Sequence, residues 1–131
     1  MTKERFEQAV SANGMTMAII LFFYMIPEES KKEITIEQWR EAHIKGLLSN
    51  EDNDLTTGIL REIVNCSKSP EDWVYVSRFG TNQDKMLAIQ RLEEVADTAF
   101  WETIIREYNQ VLGNKEIFFF AKEKVRQAYA Q

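Results

Sequence analysis

Apolar and polar positions along the chain fall into blocks of different period. The first block, KERFEQAV, places Phe6, Ala9 and Val10 on one side of a short helix. SANG ends it, with Gly14 suited to a left-handed terminal position. MTMAIILFFYMI, residues 15–26, is a continuous apolar run rich in aromatic and β-branched side chains, followed by Pro27. It is shorter than the roughly 20 residues a membrane-spanning helix needs. It reads as a strand over residues 17–26, covered on both faces.

A helical period takes over at Thr35. Thr35 and Gln38 fit a capping box. Ile36, Trp39, His43, Gly46 and Leu47 share one face, and Glu37, Gln38, Glu41 and Lys45 share the other. After the polar loop SNEDNDLTT, GILREIVNC (58–66) alternates Ile59, Arg61 and Ile63 against Leu60, Glu62 and Val64. WVYVSRF (73–79) alternates in the same way, and the turn SKSPED between them predicts a hairpin. NQDKMLAIQRLEEV carries Met86, Ile89 and Leu92 at helical spacing. DTAFWETIIREYNQVLG is amphipathic, with Phe100, Trp101, Ile104, Ile105 and Tyr108 on its broad apolar face. Asp97 is placed to cap it and Gly113 to stop it. EIFFFAK (116–122) reads as a last strand, and residues 123–131 as a tail that forms a weak terminal helix or frays.

The resulting order, β-α-β-β-α-β, predicts an α+β, ferredoxin-like fold. Its four-stranded antiparallel sheet would carry helices on one face. Length points to one domain over 1–131, with 1–14 as an N-terminal extension, 17–122 as the core and 123–131 as the tail. Strands this aromatic would not leave the open sheet face to water. At about 25 cal/mol per Å², burial favours a homodimer joined through that face. The alternative is a monomer whose N-terminal helix and tail cover it.

Composition narrows the partners. The net charge is −5, from 16 basic and 21 acidic residues, and no basic stripe offsets it, which disfavours nucleic acid and anionic membrane surfaces. The lone Cys66 admits no internal disulfide and fits a reducing, cytoplasmic setting. The first residues carry no secretory apolar core.

His43, the only histidine, lies mid-stripe. It is either a general acid/base facing a cavity or a core histidine bonded to backbone groups. Trp39, Leu47, Phe100, Trp101 and Tyr108 would line an aromatic pocket or serve as core. Tyr24 and Tyr75 offer hydroxyls either to a ligand or to a partner subunit. Arg78 would meet Glu62 across the hairpin, or bind an anion. Cys66 has no nearby basic cluster to activate it. One histidine and one cysteine with no spaced carboxylate give no metal set, and there is no glycine-rich phosphate loop or cofactor motif.

The aromatic first strand, the charged loop after Pro27, QWREAHI, the hairpin and TAFWETIIREY together resemble the dimeric α/β-barrel superfamily, and most of all the EthD-like proteins. That resemblance covers roughly residues 17–122. It implies His43 as the first-helix histidine and Trp39 as its upstream aromatic. The proline that often follows the family's histidine is missing from HIKG. It further implies cofactor-free chemistry, such as a monooxygenase, cyclase or isomerase acting on a small apolar or aromatic carbonyl compound. His43 would be the acid/base, with Tyr24 or Tyr75 orienting the substrate. The alternative is a non-catalytic ligand-binding or assembly homodimer in which His43 packs.

Overall fold

Short polar signals set the starts of the helices. In the computed structural model, which describes residues 1–107 and 115–130, Thr2, Thr35, Asp52, Ser69, Thr81 and Asp97 each accept a backbone N–H at a helix N-terminus. Three of these are full capping boxes: Thr35 with Gln38, Ser69 with Asp72, and Thr81 with Asp84. Pro70 sits in the first turn after Ser69, where its missing N–H costs nothing. The helices are α1 (Lys3–Asn13), α2 (Met15–Phe22), α3 (Glu28–Lys31), α4 (Ile36–Leu48), α5 (Asn53–Cys66), α6 (Pro70–Phe79), α7 (Asn82–Val95), α8 (Thr98–Arg106) and α9 (Lys115–Ala130). A 3₁₀ turn, Phe23–Met25, follows α2.

Among the described residues there is no strand, so the fold is all-α and the ferredoxin-like α+β expectation is overturned. The sheet implied by a dimeric α/β barrel is absent, and with it the sheet face through which a dimer was expected to form. Each expected strand is helical. The run at 17–26 belongs to α2 and the 3₁₀ turn, and residues 58–66 complete α5. Residues 73–79 lie within α6, and α9 absorbs both 116–122 and most of the tail. The buried positions explain why. In α5 they are Leu55, Thr56, Ile59, Leu60 and Ile63, and in α6 Asp72, Trp73, Val76 and Ser77, both helical spacings. In α9 they are Ile117 and Ala121, one turn apart. The hairpin that would have set Arg78 against Glu62 is absent among the described residues: Glu62 lies 3.7 Å from Lys31 Nζ, and Arg78 stacks on Phe79. The helices at α1, α4, α7 and the start of α8 stand where the pattern put them. Gly113 lies outside the described residues.

The contacts group the chain into two compact units, Met1–Ser67 and Lys68–Gln131. In the first, α1 packs on α2, α2 on α4, and α4 on α5. Gly14, at φ 82°, separates α1 from α2 in a backbone region that side chains rarely adopt. The Phe23 ring meets Trp39 edge-on, 6.1 Å between centroids, with the Lys31 ammonium 5.3 Å from its own centroid. Gly58 admits that ring: a Cβ there would lie 2.6 Å from Phe23 Cε1. In the second unit α6 pairs with α7 and α8 with α9. The α6–α7 turn is tight enough that a Cβ on Gly80 would sit 2.4 Å from Asp84 Cβ and 2.6 Å from the Val76 carbonyl oxygen. Trp101 packs edge-on against Phe100 and Phe120, and Tyr129 donates its hydroxyl proton to Glu102. No helix among the described residues is long and apolar enough to cross a membrane.

Candidate functional site

The residues singled out from the sequence fall into both units. His43 lies on the inner face of α4 with 3% of its surface exposed. Burial pushes its imidazolium below the ordinary value of 6.5. Trp39, one turn earlier on the same face, is fully buried, and its indole N–H has no hydrogen-bond partner. Leu47 points outward near the end of α4. Tyr24, on the 3₁₀ turn, is 70% exposed. Its phenol is raised above the usual value by partial desolvation and then by the carboxylates of Asp52 and Asp54. In the second unit Tyr75 lies on α6 with its ring 4.7 Å from Phe79. Trp101 is buried and Phe100 half-buried. Tyr108 lies outside the described residues.

Of these residues, Phe100 alone lines one of the well-formed cavities found among the described residues. That cavity, about 480 Å³, lies in the second unit between the start of α6 and one face of α8. Val74, Ala99, Phe100 and Ile104 make its apolar floor, Thr103 adds a hydroxyl, and Glu71, Asp97 and Glu107 bring three carboxylates. The volume is in the range that holds small organic ligands, roughly 300–1,000 Å³. Helical geometry assembles it: Asp97, Phe100, Ile104 and Glu107 recur every three or four residues along α8. Asp97 is fixed by accepting the Phe100 N–H at 2.8 Å, and Glu71 stands in the first turn of α6. Thr103 donates to the Ala99 carbonyl and accepts from Arg106, the one cation bonded to a lining side chain among the described residues. Three carboxylates against one guanidinium leave the mouth net negative.

Among the described residues no group of three or more histidine, cysteine or carboxylate side chains is placed to hold a metal ion. The cavity therefore offers dispersed negative charge around an apolar floor. That arrangement suits an organic cation better than an inorganic one.

The acidic rim was the part missed from the sequence. Glu71 had been assigned to a turn and Asp97 to a cap. The signal available was the helical recurrence of acids with Phe100 and Ile104 on one side of α8. Two further depressions lie in the first unit. One, about 260 Å³, is lined by Phe6, Val10, Met15, Ser30, Glu33 and Ile34 among others. The other is a polar groove along α1 alone. Comparison of the chain with family models, curated proteins and solved structures gave no match.

Proposed function

We propose that this chain is a binding protein whose second unit takes a small organic cation with an apolar or aromatic body. The observation that carries this reading is the 480 Å³ cavity, with Phe100 and Ile104 at its floor and Glu71, Asp97 and Glu107 around it. An apolar body would displace water from the floor, and a protonated amine would stay among the carboxylates. The competing reading is an acid/base enzyme acting on a carbonyl compound through His43, with Tyr24 or Tyr75. It has less support, because His43 is enclosed in helix packing and the cavity wall carries no imidazole or thiol.

The test is an NMR titration of the whole chain with three probes of one skeleton: 3-phenylpropylammonium, 3-phenylpropan-1-ol and 3-phenylpropanoate. The ammonium is expected to bind at about millimolar strength, as a ligand of this size does. It should shift amides of residues 71–74 and 97–107, the alcohol should bind more weakly, and the anion least. Glu71→Gln with Glu107→Gln should erase the preference for the cation, and Phe100→Ala should weaken all three probes. Equal binding of cation and anion, or shifts elsewhere in the chain, would overturn the reading.

A further inference from the structure

Two exposed helix faces, one in each unit, carry matching patterns of opposite charge. On α4, Glu37, Glu41, Ile44 and Leu48 follow the spacing i, i+4, i+7, i+11 and fall within about 60° of the helix circumference. All four are exposed, Ile44 at 43% and Leu48 at 81%. On α9, Lys115, Phe119, Lys122 and Arg126 follow the same spacing within the same arc, and all are exposed, Phe119 at 62%. One stripe reads acid, acid, apolar, apolar. The other reads base, aromatic, base, base. Set antiparallel, Glu37 faces Arg126, Glu41 faces Lys122, Ile44 faces Phe119, and Leu48 lies along the aliphatic stem of Lys115.

We propose that these two stripes are complementary docking surfaces, and that the occupant of each is a second copy of this chain. Each copy offers one α4 stripe and one α9 stripe. The α4 stripe of one copy takes the α9 stripe of another. Charge complementarity selects α9 as the occupant. Its described residues hold four bases against two acids in a chain whose net charge is −5. Antiparallel packing also sets the helix dipoles favourably. The existing partners of the stripe side chains are compatible with docking. Glu41 accepts from the Thr16 hydroxyl at 3.1 Å. Arg126 is steadied by Glu123 and Lys122 lies over Phe118, both within α9. This inference is independent of the cavity between α6 and α8.

The interface is small, so its dissociation constant is expected at about 1–100 μM. The experiment is sedimentation equilibrium of the full chain from low to high micromolar concentration, with two charge-reversed variants. Glu37→Lys with Glu41→Lys, and separately Lys122→Glu with Arg126→Glu, turn attraction between the stripes into repulsion. Each variant alone is expected to associate about a hundredfold more weakly. Mixed in equal amounts, the two variants should recover association, since acid again faces base wherever stripes of unlike variants meet. All four sites are exposed, and circular dichroism checks that each variant keeps its helices. A wild-type chain that stays monomeric throughout overturns the proposal. So do variants that associate like wild type, or a mixture that stays apart.

Discussion

The two units use their aromatic residues in opposite ways. In Met1–Ser67, Phe23 and Trp39 meet edge-on in a closed interior, with His43 one turn further along the same helix face. In Lys68–Gln131, Trp101 is equally buried, but its neighbour Phe100 leaves one side of its ring on a cavity edged by carboxylates. Both sets have helical spacing and both lie on amphipathic helices. The difference lies in what the adjacent helix covers. Across from Trp39, the closely approaching Phe23 leaves no space. Across from Phe100, the first turn of α6 offers Glu71 and Val74, and a gap remains. An aromatic stripe is thus core or pocket according to its neighbour, and the histidine lies on the closed stripe.

The comparison breaks most readily at Trp39. Trp39→Ala should cost about 3–5 kcal/mol, the usual range for emptying a buried aromatic site. Hydrogen exchange resolved along the chain should show the lost protection concentrated in residues 1–67. Uniform loss over the whole chain would argue against two units. Gly80→Ala probes the second unit and should cost about 1–3 kcal/mol, because the added methyl meets the Val76 carbonyl and Asp84. Urea unfolding measures this cost, and a neutral result would mean that the α6–α7 turn is looser than described.

The smallest effect belongs to His43. Its folded-state value is depressed by burial, so between that value and 6.5 the unfolded chain binds more protons. Stability attributable to His43 is therefore complete above about pH 6.5 and falls as pH is lowered through that window. His43→Gln should flatten this part of the profile. Unfolding curves at pH 5 and pH 7.5 compare the two proteins, and identical slopes would mean that the imidazole is open to water.

Local signals were the legible part of the sequence. The Thr35–Gln38 box, the Gly14 break, the helix over 82–95 and the Asp97 cap all stand where side-chain chemistry placed them. The strands were misread for two physical reasons. Ile, Val, Phe and Tyr favour pleated surfaces when nothing else decides, yet tertiary packing overrides that preference. Short windows also conceal the period. From Gly58 onward α5 fits alternation as well as a helical period, and Leu55 and Thr56 one turn earlier decide for the helix. In α6 the deciding signal was the Ser69–Asp72 box with Pro70 between them, a helix start that resembles a turn. The cavity was legible only as Phe100, because its other wall comes from a helix that had been taken for a strand.

The pairing of the helices bears on the order in which the chain acquires structure. Among the described residues, the most extensive contacts other than α2 with α4 join helices that follow one another in sequence: α1 with α2, α4 with α5, α6 with α7, α8 with α9. Such local pairings close small loops, so folding should be fast and should proceed hairpin by hairpin behind the ribosome. The Phe118–Phe120 triplet, an apolar segment open to stray pairing with other chains, is made after α8. By then α8 is already available to receive it. The lifetime of that exposed segment would be limited by helix formation alone, with no wait for a distant partner.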